Sequence, residues 1–211
     1  MCWKRWHGIP FRSLYLMPFL ANKINEKFPG IQIFLNEVGS DQLRKEVADG
    51  KYDFAIINLP VNESVLETMP LEADTLVLAV PNKMMHLLPL KEYDNLAEID
   101  FGDCRDLPFI SVSQSQELRT LFENLCAQAD ITPKIFMEVI GVTTAWAMAN
   151  AGLGATILPL QFIKGTEFNS NVKLFKIKGN NFLRQPAIVT RKGQYLSDYA
   201  KYAIKILTES F

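Results

Sequence analysis

Histidine and cysteine are scarce in this chain, and their scarcity removes whole classes of chemistry. Among 211 residues there are two histidines, His7 and His86, and three cysteines, Cys2, Cys104 and Cys126. They share no ligand-like spacing with each other or with acidic residues, so no metal centre is expected. The cysteines are odd in number, far apart and without a CxxC, as reduced thiols would be. Neither histidine stands near a serine or cysteine in a recognisable motif, which leaves a hydrolytic triad without support. No Walker A or GxSxG sequence occurs. Gly152-Leu153-Gly154 lacks the third glycine of a dinucleotide fingerprint and follows a helical stretch rather than a strand. No cofactor and no enzymatic activity are expected.

An excess of charge of one sign is also missing. Lys and Arg number 22 against 23 Asp and Glu, a formal net charge of −1, so there is no basic field to hold nucleic acid. No apolar run is long enough to span a bilayer, and no membrane partner is expected. The first eight residues, Met1 to Gly8, carry positive charge but no apolar core behind it, so they do not read as a signal peptide. A cytoplasmic location is the expectation.

What is present is an apolar fraction of 48%, enough for a core, in a length that suits one large domain or two small lobes. Strand and helix patterns alternate. A strand ending near Gly8 precedes Ser13 and a helical stripe of Met17, Leu20, Ile24 and Phe28, with Pro18 read into the first turns. Ile31, Ile33 and Leu35 alternate as a strand; Gly39-Ser40 leads to a helix from Asp41. Tyr52 to Ile57 is a continuous apolar run, as in a parallel strand covered on both faces, and Asn58 ends it. A polar loop leads to the run Thr75 to Pro81; Asn82 to Asp106 reads as loop with short helix. Pro108 to Val112 is a strand, Ser113 and Gln116 have capping-box spacing, and Leu118, Leu121, Phe122 and Leu125 make a helical stripe. Ile135, Met137 and Val139 alternate towards a second helix. Lysine-bearing Val172 to Lys178 and apolar Pro186 to Thr190 are further strands, and a last helix starts near Leu196.

Glu138 to Pro159 is the most informative stretch: a strand, the hydroxyls Thr143 and Thr144, an alanine-rich helix, a glycine exit and a buried strand. The threonines are placed to cap the helix, and a helix N-terminus favours an anion. In an α/β fold with a largely parallel sheet, ligands lie beyond the C-terminal ends of the strands. This sequence puts Ser13, Ser40, Asn58, Ser111, Ser113, Thr143 and Thr144 at such ends. Each alone is explained by helix capping; their recurrence at one topological place points to a shared polar crevice. Arg12, beside Ser13, reads equally as a bidentate carboxylate partner or a solvated arginine. Asp53 reads as a structural hydrogen-bond acceptor before a catalytic carboxylate, and Trp146 as core or interface before a stacking platform.

These residues resemble a known family over nearly the whole chain, from about Gly8 to Leu207. Carrying it are the stretch Ser13 to Leu20 with Pro18, Phe28-Pro29-Gly30, Glu37 to Ser40, Gly50 to Ile56, Leu78 to Pro81 and Pro108 to Ile110. The strongest piece is Ala149 to Pro159, with Gly152 and Gly154. The chain is similar to the effector-binding (substrate-binding) domain of LysR-type transcriptional regulators. The resemblance implies a fold like that of the type II periplasmic binding proteins, two Rossmann-like α/β lobes joined by two crossover strands with the effector between them. Lobe I would be residues 1–75 plus 191–211, lobe II residues 82–185, and the crossovers 76–81 and 186–190. Ser13, Ser40 and Asn58 would then face the effector from lobe I, and Ser111, Ser113, Thr143 and Thr144 from lobe II. A small, anionic metabolite is the implied ligand and a homodimer the implied assembly. The family's DNA-binding helix-turn-helix is absent from the chain, so DNA would be reached only through that missing N-terminal domain, and the chain is expected to be a fragment or the product of a truncated gene. A solute-binding protein of a transport system shares this fold and is the alternative.

Overall fold

The computed structural model describes residues 3–8, 10–37, 40–89, 94–114, 116–164, 171–179 and 183–210. Two compact units emerge: residues 1–74 with 184–211, and residues 75–183. The chain thus passes between units twice.

The first unit begins with β1 (Trp3–Gly8), α1 (Pro10–Lys27), β2 (Gln32–Glu37), α2 (Ser40–Ala48) and β3 (Ala55–Asn58), then β4 (Leu66–Pro70). It ends with β12 (Pro186–Arg191) and α6 (Asp198–Ser210). β1 and β2 are parallel, and β12 lies between β3 and β4, antiparallel to both. The weakly patterned start of the chain is thus a paired strand. The polar stretch before Thr75, expected as loop, contains β4. α1 starts at Pro10, where the missing N–H costs nothing. Pro18 is therefore its ninth residue rather than part of its first turns, and the Leu14 carbonyl loses its helical donor. Leu16, Leu20 and Ile24 of α1 pack with Ala203, Ile204 and Leu207 of α6 in the core of this unit. The loop into α6 is fastened by Asp53, whose Oδ2 accepts from Ser197 Oγ at 2.6 Å and from Tyr199 OH at 2.7 Å. That is the structural acceptor role expected of Asp53.

The second unit runs through β5 (Asp74–Pro81), β6 (Ala97–Ile99), β7 (Pro108–Val112), α3 (Glu117–Gln128), β8 (Lys134–Val139), α4 (Val142–Asn150), β9 (Thr156–Pro159), α5 (Leu160–Lys164), β10 (Val172–Ile177) and β11 (Leu183–Arg184). The segments expected as crossovers form β5 and β12. β8 pairs in parallel with β7, and Ala155 bridges β7 on its other side: its N–H donates to the Pro108 carbonyl and its carbonyl accepts from the Ile110 N–H, both at 2.8 Å. β7 therefore lies between β8 and the entry to β9, which in turn pairs with β5. The bridge explains Gly154. A Cβ there would stand 2.8 Å from the Pro108 carbonyl oxygen and 3.0 Å from Ile110 Cδ1, so the close approach of the two backbones requires glycine. Gly152 ends α4 at φ +81°, a left-handed position, and Lys83 lies across it. Phe101, Phe109 and Phe122 stack at tilted and edge-on angles in the core, and Trp146 packs edge-on against Phe162.

Each unit thus contains a β-α-β-α-β run whose strands are, by residue range, β1 to β3 and β7 to β9. In the second unit the first strand of the run is central, with the next two on either side. Such an order reverses the winding direction beside the central strand, and the loops diverge there to leave room for a ligand.

Candidate functional site

The sequence-selected residues fall in two groups, one per unit. In the first unit Arg12 and Ser13 lie in the first turn of α1, inside the helix rather than ahead of it; their side chains are outside the described residues. Ser40 is the first residue of α2 and half-buried. Asn58 closes β3 opposite Pro186 of β12 and is buried, 7% exposed.

In the second unit Ser111, Ser113, Thr143 and Thr144 collect at the C-terminal end of the parallel pair β7–β8. Ser111 is 4% exposed and faces Glu138 across the pair. Its Oγ donates to the Val112 carbonyl at 3.3 Å and accepts from Arg119 Nη1 at 2.9 Å. Ser113 holds the two strand ends together through its N–H, which donates to the Val139 carbonyl at 2.8 Å. The capping box is not formed. α3 starts at Glu117 behind Gln116, so Gln116 and not Ser113 is the N-cap; the Gln116 side chain makes no capping bond, and its N–H donates to the Ser113 carbonyl at 3.0 Å.

The expected capping by Thr143 and Thr144 is likewise absent. The N-cap of α4 is Gly141, extended at φ −143° and without a side chain to cap with, and no side-chain cap is formed among the described residues. The threonines are the second and third helical residues, with exposed side chains, too far along to act as caps. Their N–H groups and that of Val142 are left at the positive end of the helix dipole, the arrangement that receives an anion.

Arg119 belongs to this neighbourhood and was not singled out by sequence. Its side chain is 15% exposed and sits in the first turn of α3, where the helix dipole disfavours a cation. Two carboxylates offset that: Nε donates to Glu123 at 2.6 Å and Nη1 to Glu138 at 3.0 Å. The i, i+4 spacing to Glu123 is visible in the sequence; the contact to Glu138, nineteen residues away, is created by the β7–β8 pairing.

Three other groups of this unit, Cys104, Cys126 and Asp106, are shifted by their surroundings. Burial pushes the Cys104 thiol up to about 12, with Asp103 and Asp100 adding to the effect, and burial pushes Cys126 up to about 11. Both are buried free thiols; Cys2 lies outside the described residues. A hydrogen bond from Lys134 holds Asp106 below the usual carboxylate range. No cluster of metal-ligating side chains and no helix long and apolar enough to cross a membrane occurs among the described residues.

Two α/β units joined by two chain crossings, each built on strand–helix alternation, define the type II periplasmic-binding-protein-like class. The family profile described as LysR substrate binding domain matches residues 9–211, and the chain belongs to that family. Among its relatives are the uncharacterised HTH-type transcriptional regulator YcgK of Bacillus subtilis, 28% identical over 72% of this chain and 51% of that protein. HTH-type transcriptional regulator AlsR of Bacillus subtilis is 29% identical over 68% of this chain and 46% of that protein. The chain spans about half the length of these curated relatives. Among solved structures, the effector binding domain of QuiR in complex with shikimate aligns with TM-score 0.75 and 23% identity, covering 100% of this chain and 99% of that one. The Synechocystis PCC6803 CcmR regulatory domain in complex with 2-PG aligns with TM-score 0.78 and 19% identity over 99% and 98%. At these identities the structural likeness establishes the fold.

Proposed function

We propose that this chain is the ligand-sensing module of a transcriptional regulator, and that it binds a small organic anion. The observation that carries the reading is the α4 N-terminus: among the described residues no side chain caps it, it is preceded by an extended glycine, and its first turn carries two hydroxyl-bearing residues. Backbone N–H groups so placed hold a carboxylate or phosphate without a cationic side chain. Ser113 on the neighbouring strand end adds a further polar group. Ser13, Ser40 and Asn58 are the proposed contacts from the first unit, with Arg12 beside them. The QuiR and CcmR domains were solved with shikimate and 2-PG, both small anions, and that supports the ligand class. The relatives named as HTH-type regulators favour this role over a transport solute-binding protein. Regulation follows if the anion has different affinity for two arrangements of the parent protein, since only a differential affinity shifts an equilibrium. In that parent protein, DNA would be bound by the helix-turn-helix domain that the matched relatives carry in name.

A thermal-shift screen of carboxylates, amino acids, aromatic acids and phosphorylated small acids tests the reading. A ligand at a hundredfold excess over its dissociation constant adds about 2.7 kcal/mol, or roughly 5–10 °C in a domain of this size. If every compound behaves like sodium chloride at equal ionic strength, the reading is wrong.

A homodimer is the proposed assembly. β8 pairs only with β7 among the described strands, and it carries Ile135 and Phe136, with Ile140 following at 82% exposure. An unpaired edge with exposed large apolar side chains is the kind of surface that oligomers cover.

A further inference from the structure

The chain reaches α4 through a connector that packing does not fix. Ile140 is 82% exposed, and a Cβ placed on Gly141 would meet no atom within 4 Å. β8, which leads into the connector, has β7 as its one neighbour among the described strands. The position of the α4 N-terminus is therefore set at the root of the connector, where β8 ends. Two fastenings hold that root. One is backbone: the Ser113 N–H donates to the Val139 carbonyl at 2.8 Å. The other is Arg119. Its Nη1 donates to Glu138 of β8 at 3.0 Å and to Ser111 of β7 at 2.9 Å, so one guanidinium nitrogen ties α3 to both strands at the cross-strand pair Ser111–Glu138. Glu123 takes Nε at 2.6 Å; it lies on α3 with Arg119, so its bond aims the guanidinium and fastens no strand.

We infer that Arg119 is a positioning residue for the N–H groups at the start of α4: through Glu138 it holds the end of β8, and with it the start of the helix, in one place. The inference rests on the proposed anion-binding role of α4 and adds to it the residue that orders the site; it needs no ligand contact with Arg119. Backbone donors hold an anion best when they already converge on one point, so a connector free to move loses affinity to ordering at the moment of binding. The side chain of Arg119 is 15% exposed, held against the strands rather than free in solvent. Glu138 acts in two opposed ways. Its charge disfavours an anion in the same unit, whereas its bond to Arg119 keeps the donors in place. Removing it therefore separates positioning from charge by the sign of the effect.

Variants are compared with the wild type by 15N relaxation and by titration with inorganic phosphate, followed in 1H–15N spectra through Gly141, Val142, Thr143 and Thr144. Glu138→Gln removes the charged tie to β8 and one negative charge. Glu123→Gln removes the same charge from the same arginine and leaves the tie. Glu138→Gln is expected to lower the order of Ile140 to Thr144 and to weaken phosphate severalfold. Glu123→Gln is expected to leave that order unchanged and to bind phosphate as tightly as the wild type or more so. Arg119→Lys keeps the charge but offers a point donor in place of the fork, and is expected to fall between the wild type and Glu138→Gln. A merely structural pair predicts a lower urea midpoint in Glu138→Gln with the order of Ile140 to Thr144 and phosphate affinity unmoved, and that result overturns the inference. Phosphate bound more tightly by Glu138→Gln means that charge alone is at work, and overturns it too. Both of these results leave the anion-binding role standing. A phosphate titration that moves no wild-type signal also overturns the inference, and the role then stands or falls with the wider anion screen.

Discussion

Buried thiols in this chain are packing atoms rather than reagents. With Cys104 pushed up to about 12 and Cys126 up to about 11, the thiolate that would react is withheld at neutral pH. The folded protein is expected to leave both unmodified by a thiol reagent at pH 8, and urea-unfolded protein to expose both; rapid labelling of the native state would contradict this. The same shift has a pH consequence. An unfolded thiol ionises near 9.0, so between there and about 12 the unfolded chain binds fewer protons than the folded one. Stability therefore falls as pH rises through that window, and Cys104→Ala is expected to flatten the fall in urea midpoint between pH 8 and pH 10. Asp53 makes the complementary point for a carboxylate. Asp53→Asn leaves two donors, Ser197 Oγ and Tyr199 OH, with a weaker acceptor, and a loss of about 1–3 kcal/mol is expected in urea unfolding. The roles of Asp53 and Trp146 were readable from sequence because burial and local pattern settle them. The role of Arg119 was not, because its partner Glu138 arrives through strand pairing.

At the scale of elements, the two glycines after α4 differ in why they are needed. Gly154 is held by backbone: a methyl group would meet the Pro108 carbonyl, which cannot move without breaking the bridge from β7 to Ala155. Gly154→Ala is expected to cost about 1–3 kcal/mol. Gly152 is crowded by the flexible end of Lys83 and strained by its φ of +81°. Lys83→Ala is therefore expected to recover part of the loss in Gly152→Ala and none in Gly154→Ala, measured as a double-mutant cycle. The sequence showed both as turn residues but could not separate these causes, since neither Pro108 nor Lys83 is near in the chain. Elements with strong periodicity, such as α1, α3 and β7, were legible. β4 was missed because Glu67 and Pro70 break its apolar pattern, and β6 because three residues carry no period. The caps were misread for a common reason. Serine and threonine near a helix start suggest capping, yet Gly141 and Gln116 begin these helices and carry no side-chain cap.

For the whole molecule, each unit repeats a β-α-β-α-β run without a repeat in sequence, because the shared feature is winding order and the side chains that fill each core differ. The class of fold was legible from strand–helix alternation, and the family from the order of its short motifs. The exposed edge of β8 was not. Its alternating Ile135, Met137 and Val139 suggest a buried face, but β8 has β7 as its one neighbour among the described strands, and Ile135 and Phe136 are exposed. If that edge is the dimer surface, sedimentation should give a dimer for the wild type and a monomer for Phe136→Glu; an unchanged dimer in the variant would place the interface elsewhere.

The N–H groups at the start of α4 are the proposed holders of the anion, and one variant isolates them. Val142→Pro removes a single N–H at the first helical position, and the extended Gly141 before it already has the conformation that proline demands. Calorimetric titration of the best anion from the screen is expected to show affinity lowered about tenfold in Val142→Pro, with Thr143→Val and Thr144→Val, which keep their N–H groups, closer to wild type. Equal affinity in wild type and Val142→Pro, with both folded, would mean that these N–H groups do not hold the anion.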